Sequence, residues 1–495
     1  MLRIPRSPRL TGLGPLALAT AWWVAMVACG AGPDGSRDRA DVPPPSRILL
    51  VTIDTLRADH LSAYGYPRPT SPVLDRLAAE GVRFDRPAVQ WPKTGPSFTS
   101  MFTATYPKDN GVVRRIGTPV PAEFTLLAEK LSAHGFATGA VVSNGAVASD
   151  FGFDQGFDAY VETWKLDGAG GDPNRATRVT DEALRVVEGF GDDRPYFLWV
   201  HYLDPHFPYT PPPEFADRFV GDDLFDPTER IDIDYDRRRK QMNGIGWEKV
   251  LEGRDDLAFY KARYDAEILY ADSEVGRLLD ALGVDDGGER TLVVVTSDHG
   301  ESLGEHLYYF DHGRFGFQTC LRVPLIFHYP GVLTPRVDTE PVELLHLAPT
   351  LLDFAGVDLA GARWGQGESL VDRLMGAAGA PSPDLAFSEA GYGEAGAWQR
   401  VVQDRRYKLV RARSPNAQQW LGGPGQPWVL YDLEADPGET VNRARELPEE
   451  TQRLRRALLD WLETERFPLG AEASSEEGEM ESRTRKQLEA LGYLD

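Results

Sequence analysis

The sequence predicts an α/β fold, with a large mixed, mostly parallel sheet sandwiched by helices and a smaller C-terminal α+β subdomain. The first observation is that residues 47–54 and 291–298 are short apolar, β-branched runs that each end on an aspartate. Such runs are typical of strands buried on both faces of a parallel sheet. The second is that strand-like and helix-like segments alternate along the chain, which indicates a sheet covered by helices on both sides.

The individual elements follow from the spacing of apolar residues and from the residues that end each segment. Apolar runs predict strands at 48–53, 137–142, 196–201, 291–297 and 323–327. Apolar residues at helical spacing, followed in two cases by glycine, predict helices at 71–80, 124–133, 177–187 and 264–282. Residues 400–411 and 428–432 predict antiparallel strands of the smaller subdomain.

Changes in composition predict the domain organisation. A chain of 495 residues is long enough for one large domain with a smaller appendage. Residues 207–260, polar and proline-rich at their start, predict an insertion that walls a cleft. We expect a signal peptide at 1–28, a flexible tether at 29–46, a catalytic domain at 47–360, an antiparallel-sheet subdomain at 361–440, and C-terminal helices with an acidic linker at 441–495.

The N-terminus has the pattern of a bacterial lipoprotein signal. Basic residues precede an apolar run at 13–28 that is too short for a comfortable membrane span. Small residues stand before Cys29, and a glycine-rich stretch follows it. We therefore expect an acylated Cys29 that tethers the protein to the bacterial cell envelope, on its periplasmic or extracellular face. An ordinary signal peptide or an uncleaved anchor is the alternative.

The charge of the chain excludes some partners. The formal net charge is −23, whereas binding to nucleic acid needs clustered lysine and arginine to contact phosphates. The same charge opposes adhesion to anionic lipid surfaces. We therefore expect no nucleic-acid partner, and contact with a membrane only through the N-terminal lipid.

Polar side chains stand where the two aspartate-ended runs stop. Asp54 ends the first run, and Asp298 and His299 end the second. Ligand sites of open α/β sheets lie beyond the carboxyl ends of the strands, and two carboxylates with an imidazole can hold a divalent cation. Each aspartate alone could instead begin a turn or cap a helix. The occurrence of both runs, one with an adjacent histidine, favours the metal site.

Several stretches form an ordered set of motifs that covers most of the chain from residue 47 to 440: 54–60, 74–84, 96–103, 197–209, 296–300, 321–327, 407–409 and 430–433. In this order they resemble the motifs of the sulfatase family, within the alkaline phosphatase superfamily. The resemblance implies an alkaline phosphatase-like sheet and the hydrolysis of esters.

The resemblance assigns the position of the nucleophile to Thr94. The family motif is Cys-or-Ser-x-Pro-Ser-Arg, and residues 94–98 read Thr-Gly-Pro-Ser-Phe. Sulfatases convert the Cys or Ser to formylglycine, whose hydrate has two hydroxyls. Threonine has one hydroxyl and is not matured in this way, so we expect no formylglycine. Threonine nucleophiles are familiar in related nucleotide pyrophosphatases and phosphoglycerol or phosphoethanolamine transferases, which favours a phosphate ester over a sulfate ester. The alternative is that Thr94 only caps a helix.

The predicted metal ligands are Asp54, Thr94, Asp298 and His299. A coordinated cation would activate the Thr94 hydroxyl, which is otherwise too weak an acid to attack an ester. Thr55 stands where sulfatases often have a second aspartate. The loss of that carboxylate shifts the preference from calcium toward zinc or manganese, with calcium or magnesium as alternatives.

Further site residues come from the resemblance. It implies that His206 contacts the ester oxyanion or the leaving group and that His312 replaces a substrate-binding lysine, so both are predicted to be catalytic. With Asp204 they could alternatively hold a second metal ion. Arg57, His201 and Asp204 are weaker candidates for substrate binding, and Arg57 could instead brace Asp59.

These features predict a metal-dependent hydrolase that acts on a small-molecule, glycan or lipid ester through Thr94. One alternative is a phosphoryl head-group transferase of the cell envelope. Such transferases commonly carry several membrane spans, which are missing from this sequence. Another alternative is a catalytically inactive binding lipoprotein, against which the joint presence of Asp54, Asp298, His299 and His312 argues.

Overall fold

The computed structural model describes residues 42–113, 117–166, 175–191, 194–235, 242–284, 290–359, 365–377, 379–381, 383–391, 398–421, 423, 425–464 and 480–491. The predicted signal peptide, Cys29 and most of the tether lie outside these ranges, as do residues 465–479 within the predicted region of C-terminal helices and acidic linker. Within them, no helix is both long and apolar enough to cross a membrane.

Strands and helices alternate through most of the described residues. The strands are β1 (Arg47–Ile53), β2 (Val82–Ala88), β3 (Ala137–Val142), β4 (Ala159–Glu162), β5 (Tyr196–Tyr202), β6 (Ile233–Asp234), β7 (Ile245–Gly246), β8 (Thr291–Thr296), β9 (Ser302–Leu303), β10 (Tyr309–Asp311), β11 (Leu325–His328), β12 (Arg336–Glu343), β13 (Ala386–Ala390), β14 (Gln399–Gln403), β15 (Tyr407–Ala412) and β16 (Trp428–Asp432). The α-helices are α1 (Pro72–Glu80), α2 (Thr94–Thr103), α3 (Pro107–Asn110), α4 (Leu127–Ala133), α5 (Ala176–Phe190), α6 (Pro213–Ala216), α7 (Leu257–Ala281), α8 (Gln318–Leu321), α9 (Leu347–Phe354), α10 (Val371–Met375), α11 (Pro415–Leu421), α12 (Pro448–Glu463) and α13 (Ser482–Ala490).

An eight-stranded sheet in the order β12-β2-β11-β8-β1-β5-β3-β4 forms the centre of the molecule. All neighbouring pairs are parallel except the two that involve β11, which is antiparallel to both β8 and β2. The predicted mixed, mostly parallel sheet is therefore confirmed. Because the other seven strands run in one direction, the carboxyl ends of β1, β2, β3, β5 and β8 meet at the same edge, where ligands bind in sheets of this kind.

The burial of β1 explains why its sequence is apolar without alternation. Ile48 and Leu50 pack into one hydrophobic cluster, and Leu49 and Val51 pack into another on the opposite face of the sheet. Helices cover both faces, so successive side chains are equally removed from water.

Some elements differ from the sequence prediction. Helix α7 begins at Leu257, seven residues before the predicted start at 264. Strands β2 and β12 were not predicted, because their sequences carry arginine, aspartate, glutamate and proline. Charged residues and proline are typical of strands near a sheet edge, where part of the side chains face water.

The predicted C-terminal α+β subdomain is also confirmed. Strands β13, β14, β15 and β16 form an antiparallel sheet, and residues 400–411 contribute the hairpin of β14 and β15. Helix α12 covers this sheet with Leu454, Leu458 and Trp461. Helix α13, by contrast, packs against the turns that follow β3 and β4 of the central sheet.

Candidate active site

Three buried side chains meet at the carboxyl edge of the central sheet. Asp54 directly follows β1, Asp298 follows β8 by two residues, and His201 lies in β5 opposite Thr52 of β1. None of the three side chains is exposed to solvent. One potential ligand atom from each of Asp54, His201 and Asp298 lies within 4.8 Å of the others.

This group fits a divalent cation. Asp54 Oδ1, Asp298 Oδ2 and His201 Nε2 are buried, and none of them makes a hydrogen bond. Buried polar atoms are rarely left in this state unless an ion or an ordered water satisfies them. Two carboxylates and an imidazole are ligands that zinc and manganese accept.

The two aspartates respond differently to their surroundings. Burial opposes the ionisation of Asp54, but nearby imidazoles, that of His201 first, lower its pKa to about 2. Burial and then the negative charge of Asp54 raise the pKa of Asp298 to about 8. Two adjacent buried carboxylates cannot both ionise cheaply, so without a cation the pair keeps one proton at neutral pH. A bound cation would displace that proton.

His201 is held in a defined orientation by β1 and β5. Trp199 Nε1 donates to Thr52 Oγ1 at 2.9 Å, and Thr52 Oγ1 lies 3.0 Å from His201 Nδ1. Thr52 Oγ1 can also donate to the carbonyl of Val200 at 3.3 Å. In that arrangement Nδ1 of His201 carries the proton and Nε2 keeps the lone pair that a metal requires. His201 was predicted to bind substrate, yet it lies among the carboxylates.

Thr94 is the first residue of α2, and Lys93 occupies the cap position before it. The Thr94 hydroxyl lies 3.2 Å from His299 Nε2 and is almost fully buried. A helix N-terminus carries partial positive charge, which stabilises an oxyanion that forms there. Thr94 is therefore within the helix, next to the carboxylate pair, and does not occupy the cap position.

His299 bridges Thr94 and Asp298. Its Nε2 lies 3.3 Å from Asp298 Oδ2, and its Nδ1 donates to the carbonyl of Gly300 at 3.0 Å. Burial lowers the pKa of His299 to about 4, so the ring is neutral at pH 7. Because a carbonyl can only accept, the single proton is on Nδ1, and Nε2 presents a lone pair to Thr94 or to a cation.

His312 and His206 form the other wall of the site. The ring centroids of His312 and His299 are 4.0 Å apart, and those of His312 and His206 are 5.5 Å apart. Burial lowers the pKa of both His206 and His312. His312 Nδ1 lies 3.1 Å from Glu301 Oε1, and burial followed by the charge of Asp311 raises the pKa of Glu301. A protonated Glu301 donates to Nδ1, which places the proton of a neutral His312 on Nε2.

Two predicted substrate-binding residues make contacts within the protein. Arg57 donates to both carboxylate oxygens of Asp59, to Glu305 Oε1 at 2.7 Å and to the carbonyl of Glu301. These contacts are the ones expected if Arg57 braces Asp59. Asp204 Oδ2 accepts from the backbone of Ala176 at the start of α5.

Three residues near the site were not predicted to be part of it. Asn144 Nδ2 donates to Asp54 Oδ2 at 2.5 Å. Lys93 packs so closely against Gly313 that a Cβ there would collide with its side chain, and Gly313 has a φ of +88°. Lys249 Nζ lies 4.8 Å from the ring centroid of Phe207.

The positive charges of Lys93 and Lys249 affect the ionisable side chains of the site. Lys93 interacts electrostatically with Asp54 and His312, and Lys249 interacts with His312. Burial lowers the pKa of each lysine, against the opposing charge of Asp311. The adjacency of Lys93 to Thr94 was the one sequence signal for this pair. Lys249 lies in the predicted insertion at 207–260, and nothing in the sequence reveals which residues of this insertion lie close to the site.

Comparison with known proteins agrees with this geometry. A model of the sulfatase family matches residues 46–357, and a model of the C-terminal region of N-sulphoglucosamine sulphohydrolase matches residues 304–466. An N-acetylglucosamine-6-O-sulfatase from Bacteroides thetaiotaomicron is 26% identical over 471 residues, which cover 80% of this chain and 82% of the relative.

Solved structures share the fold. One is a protein in complex with its substrate D-glucosamine-2-N,6-O-disulfate, with a TM-score of 0.68 and 23% identity over 85% of this chain and 97% of the other. Another is a phosphonate monoester hydrolase from Silicibacter pomeroyi, with a TM-score of 0.66 and 22% identity over 85% of this chain and 96% of the other. The resemblance inferred from the motifs is confirmed. The chain belongs to the sulfatase family of ester hydrolases.

Proposed function

We propose that this member of the sulfatase family hydrolyses a phosphate ester through a Thr94 nucleophile, with a divalent cation bound beside it. The observation that carries the proposal is the contact between the Thr94 hydroxyl and His299 Nε2, at 3.2 Å. It joins a helix N-terminus, a neutral imidazole and a carboxylate pair in one buried space.

Enzymes of this family generally use a metal ion, and Asp54, His201 and Asp298 would hold it here. Thr94 Oγ1 borders the same group and would complete the ligand shell. The one lone pair of the neutral His299 ring, on Nε2, lies 3.2 Å from that hydroxyl and is then left to accept its proton. When bound, the cation would lower the pKa of the Thr94 hydroxyl and neutralise charge on the ester oxygens. Zinc or manganese is favoured because an imidazole joins the two carboxylates.

The chain's own residues account for the proton transfers. His299 Nε2 accepts the Thr94 proton as Oγ1 bonds to phosphorus and the bond from phosphorus to the leaving oxygen breaks. His312 Nε2 donates a proton to that leaving oxygen. Water then attacks the phosphothreonine at phosphorus and gives its proton to His206, while the bond from phosphorus to Thr94 Oγ1 breaks and His299 returns its proton to Oγ1. The proton on His206 passes to His312, whose ring centroid is 5.5 Å away, and this restores the starting state. His206 donates Nδ1 to the carbonyl of Phe207 at 2.7 Å, so its Nε2 is free of a proton in the neutral ring and suits activation of that water.

Lys93 and Lys249 supply positive charge on the substrate side. The family motif has an arginine where Phe98 stands, so that cation is missing here. Lys93 acts electrostatically on His299 and His312, and Lys249 acts on His206 and His312. Positive charge fixed near the ester stabilises the transferred group in the transition state.

The single hydroxyl of Thr94 favours a phosphate ester. A hydrated formylglycine can expel sulfate with its second hydroxyl, and threonine has no second hydroxyl. Hydrolysis of a phosphothreonine needs only attack by water at phosphorus. The phosphonate monoester hydrolase with the same fold indicates that this architecture accommodates a phosphorus centre. The sulfatase relatives point to a sugar or glycan as the esterified group.

The test compares hydrolysis of an aryl phosphate monoester, an aryl phosphodiester and an aryl sulfate. The purified protein is stripped of metal and reloaded with zinc, manganese or calcium. We expect phosphoester turnover that needs metal, falls by a factor of about 10³ or more in Thr94→Ala, and largely persists in Thr94→Ser. Mass spectrometry of the quenched reaction should find a phosphoryl group on the peptide that carries Thr94.

Other results would favour the alternatives. Sulfate turnover that survives in Thr94→Ala would mean that the nucleophile is elsewhere. Transfer of the phosphoryl group to an added alcohol in preference to water would favour the head-group transferase. Metal binding without turnover of any ester would favour a binding protein.

A further inference from the structure

Helix α13 contacts the turn that supports the metal-binding aspartate. The amide group of Gln487 forms two hydrogen bonds with backbone on either side of Asn144. Its Oε1 accepts from Gly145 N at 2.5 Å, and its Nε2 donates to the carbonyl of Ser143 at 2.8 Å. A Cβ at Gly145 would collide with Gln487, so glycine is what allows this close approach.

Asn144 transmits that contact to Asp54. Asn144 Oδ1 accepts from Ala146 N at 2.9 Å, and this bond turns Nδ2 toward Asp54 Oδ2, 2.5 Å away. The bond to Asn144 occupies Oδ2 and leaves Asp54 Oδ1 without a hydrogen bond. Residues that orient a metal ligand through such bonds affect metal affinity although they do not touch the metal.

The contact between α13 and the turn at Asn144 is buried, and Gln487 is the residue that makes its hydrogen bonds. Gln487 is 6% exposed, and its neighbours Thr484 and Leu488 on the inner face of α13 are fully buried. The Thr484 hydroxyl makes no hydrogen bond. The rest of this face therefore contributes packing, whereas Gln487 contributes the two bonds that fix the turn at Asn144.

We propose that Gln487 is a positioning residue for the metal site. It orders the backbone on both sides of Asn144, and the Asn144 side chain in turn orients Asp54. The inference rests on the proposed function, because it assigns Asp54 to a bound cation. It gives the C-terminal helix a role in the reaction centre.

The test compares two isosteric changes in α13 of the full-length protein. Gln487→Met keeps the volume of the side chain and removes both hydrogen bonds. Thr484→Val removes a buried hydroxyl that bonds to nothing, and it controls for altered packing of the helix. We expect Gln487→Met to weaken the affinity for zinc or manganese, measured by chelator competition, by about tenfold. Thr484→Val should leave the affinity unchanged.

Asn144→Ala tests whether the effect passes through Asn144. In an Asn144→Ala background, Gln487→Met should cause little further loss of metal affinity, because the link to Asp54 is already broken. If Gln487→Met weakened metal affinity equally with and without the Asn144 side chain, the proposed route through Asn144 would be overturned. Unchanged affinity in Gln487→Met, with normal binding by the wild type, would overturn the inference itself.

Hydrogen exchange provides a readout that needs no metal. In Gln487→Met the backbone amides of residues 143–147 should exchange faster than in the wild type, and in Thr484→Val they should not. If the wild type bound no cation, the proposed function would fail, while this exchange difference would still decide whether Gln487 orders the turn. Equal exchange in both variants would overturn the inference.

Discussion

The ring of Phe98 packs edge-to-face against the ring of His201, with 4.9 Å between the centroids and 80° between the planes. Phe98 is fully buried and also lies 4.9 Å from Trp199. The position that carries an arginine in the family motif is therefore part of an aromatic wall behind the His201 imidazole. At this position the wall consists of the packed rings of Phe98 and Trp199.

Restoring the family arginine should destabilise this protein. We expect Phe98→Arg to lower the free energy of unfolding by about 3–5 kcal/mol, because it replaces a packed, fully buried ring with a charge that must be taken out of water. Phe98→Leu, which keeps the site apolar, should cost about 1 kcal/mol. Urea unfolding followed by circular dichroism measures both. An arginine variant as stable as the leucine variant would mean that the wall opens readily to solvent.

Metal affinity should depend on pH through Asp298. Its pKa is raised from 3.8 to about 8 in the folded, metal-free protein, so below pH 8 a cation must displace a proton. We therefore expect affinity for manganese to rise about tenfold per pH unit as the pH increases toward 8, and to level off above it. Isothermal titration in buffers of different ionisation enthalpy measures the affinity and the proton release. An affinity that stays constant from pH 6 to 8, without proton release, would contradict the shared proton.

Lys249 should govern substrate binding more than the chemical step. Lys249→Gln removes a charge that acts on the histidines of the site. If this charge meets a phosphate ester, its loss should raise KM by about tenfold or more, since hydrogen bonds to charged groups contribute about 1.5–3 kcal/mol. Lys249→Arg keeps the charge and should stay near the wild-type KM. Steady-state kinetics at low salt are the measurement, and equal KM values in all three proteins would exclude contact with the ester.

Cys29 should carry lipid when the full chain is made in a bacterial host. We expect metabolic labelling with an alkyne fatty acid to modify the wild type, and Cys29→Ser to remove the label and release the protein from the membrane fraction. Ser46→Cys, placed close to the first residue of β1, provides a control for nonspecific labelling of thiols. A wild type that is secreted without label would favour the ordinary signal peptide.

The sequence predicted the part of the fold that depends on continuous burial. Strands β1, β3, β5 and β8 are buried throughout or nearly so, and their apolar runs reveal them. Strand β12 has half-buried and exposed positions in its first five residues and buried ones in its last three, and it carries charges and a proline, so no local pattern separates it from a loop. Its place in the sheet is set by pairing with β2, which is a long-range contact.

The candidate site was predictable where side chains follow strands. Asp54 and Asp298 lie at the ends of apolar runs, and strand direction alone brings them to one edge. The grouping of His201 with them depends on its register against Thr52, which the sequence does not specify. Asn144 and Lys249 reach the site from loops whose course is set by tertiary packing.

The contact between Gln487 and Gly145 also bears on the order in which the protein is made. The two residues are 342 positions apart, so Gln487 leaves the ribosome long after Gly145. The contact between α13 and the turn beneath Asp54 can form only once α13 has been synthesised. A chain that terminated before α13 would carry Thr94 and every predicted metal ligand, and would lack the residue proposed to order them. On that proposal, synthesis through α13 is itself a condition for an ordered reaction centre.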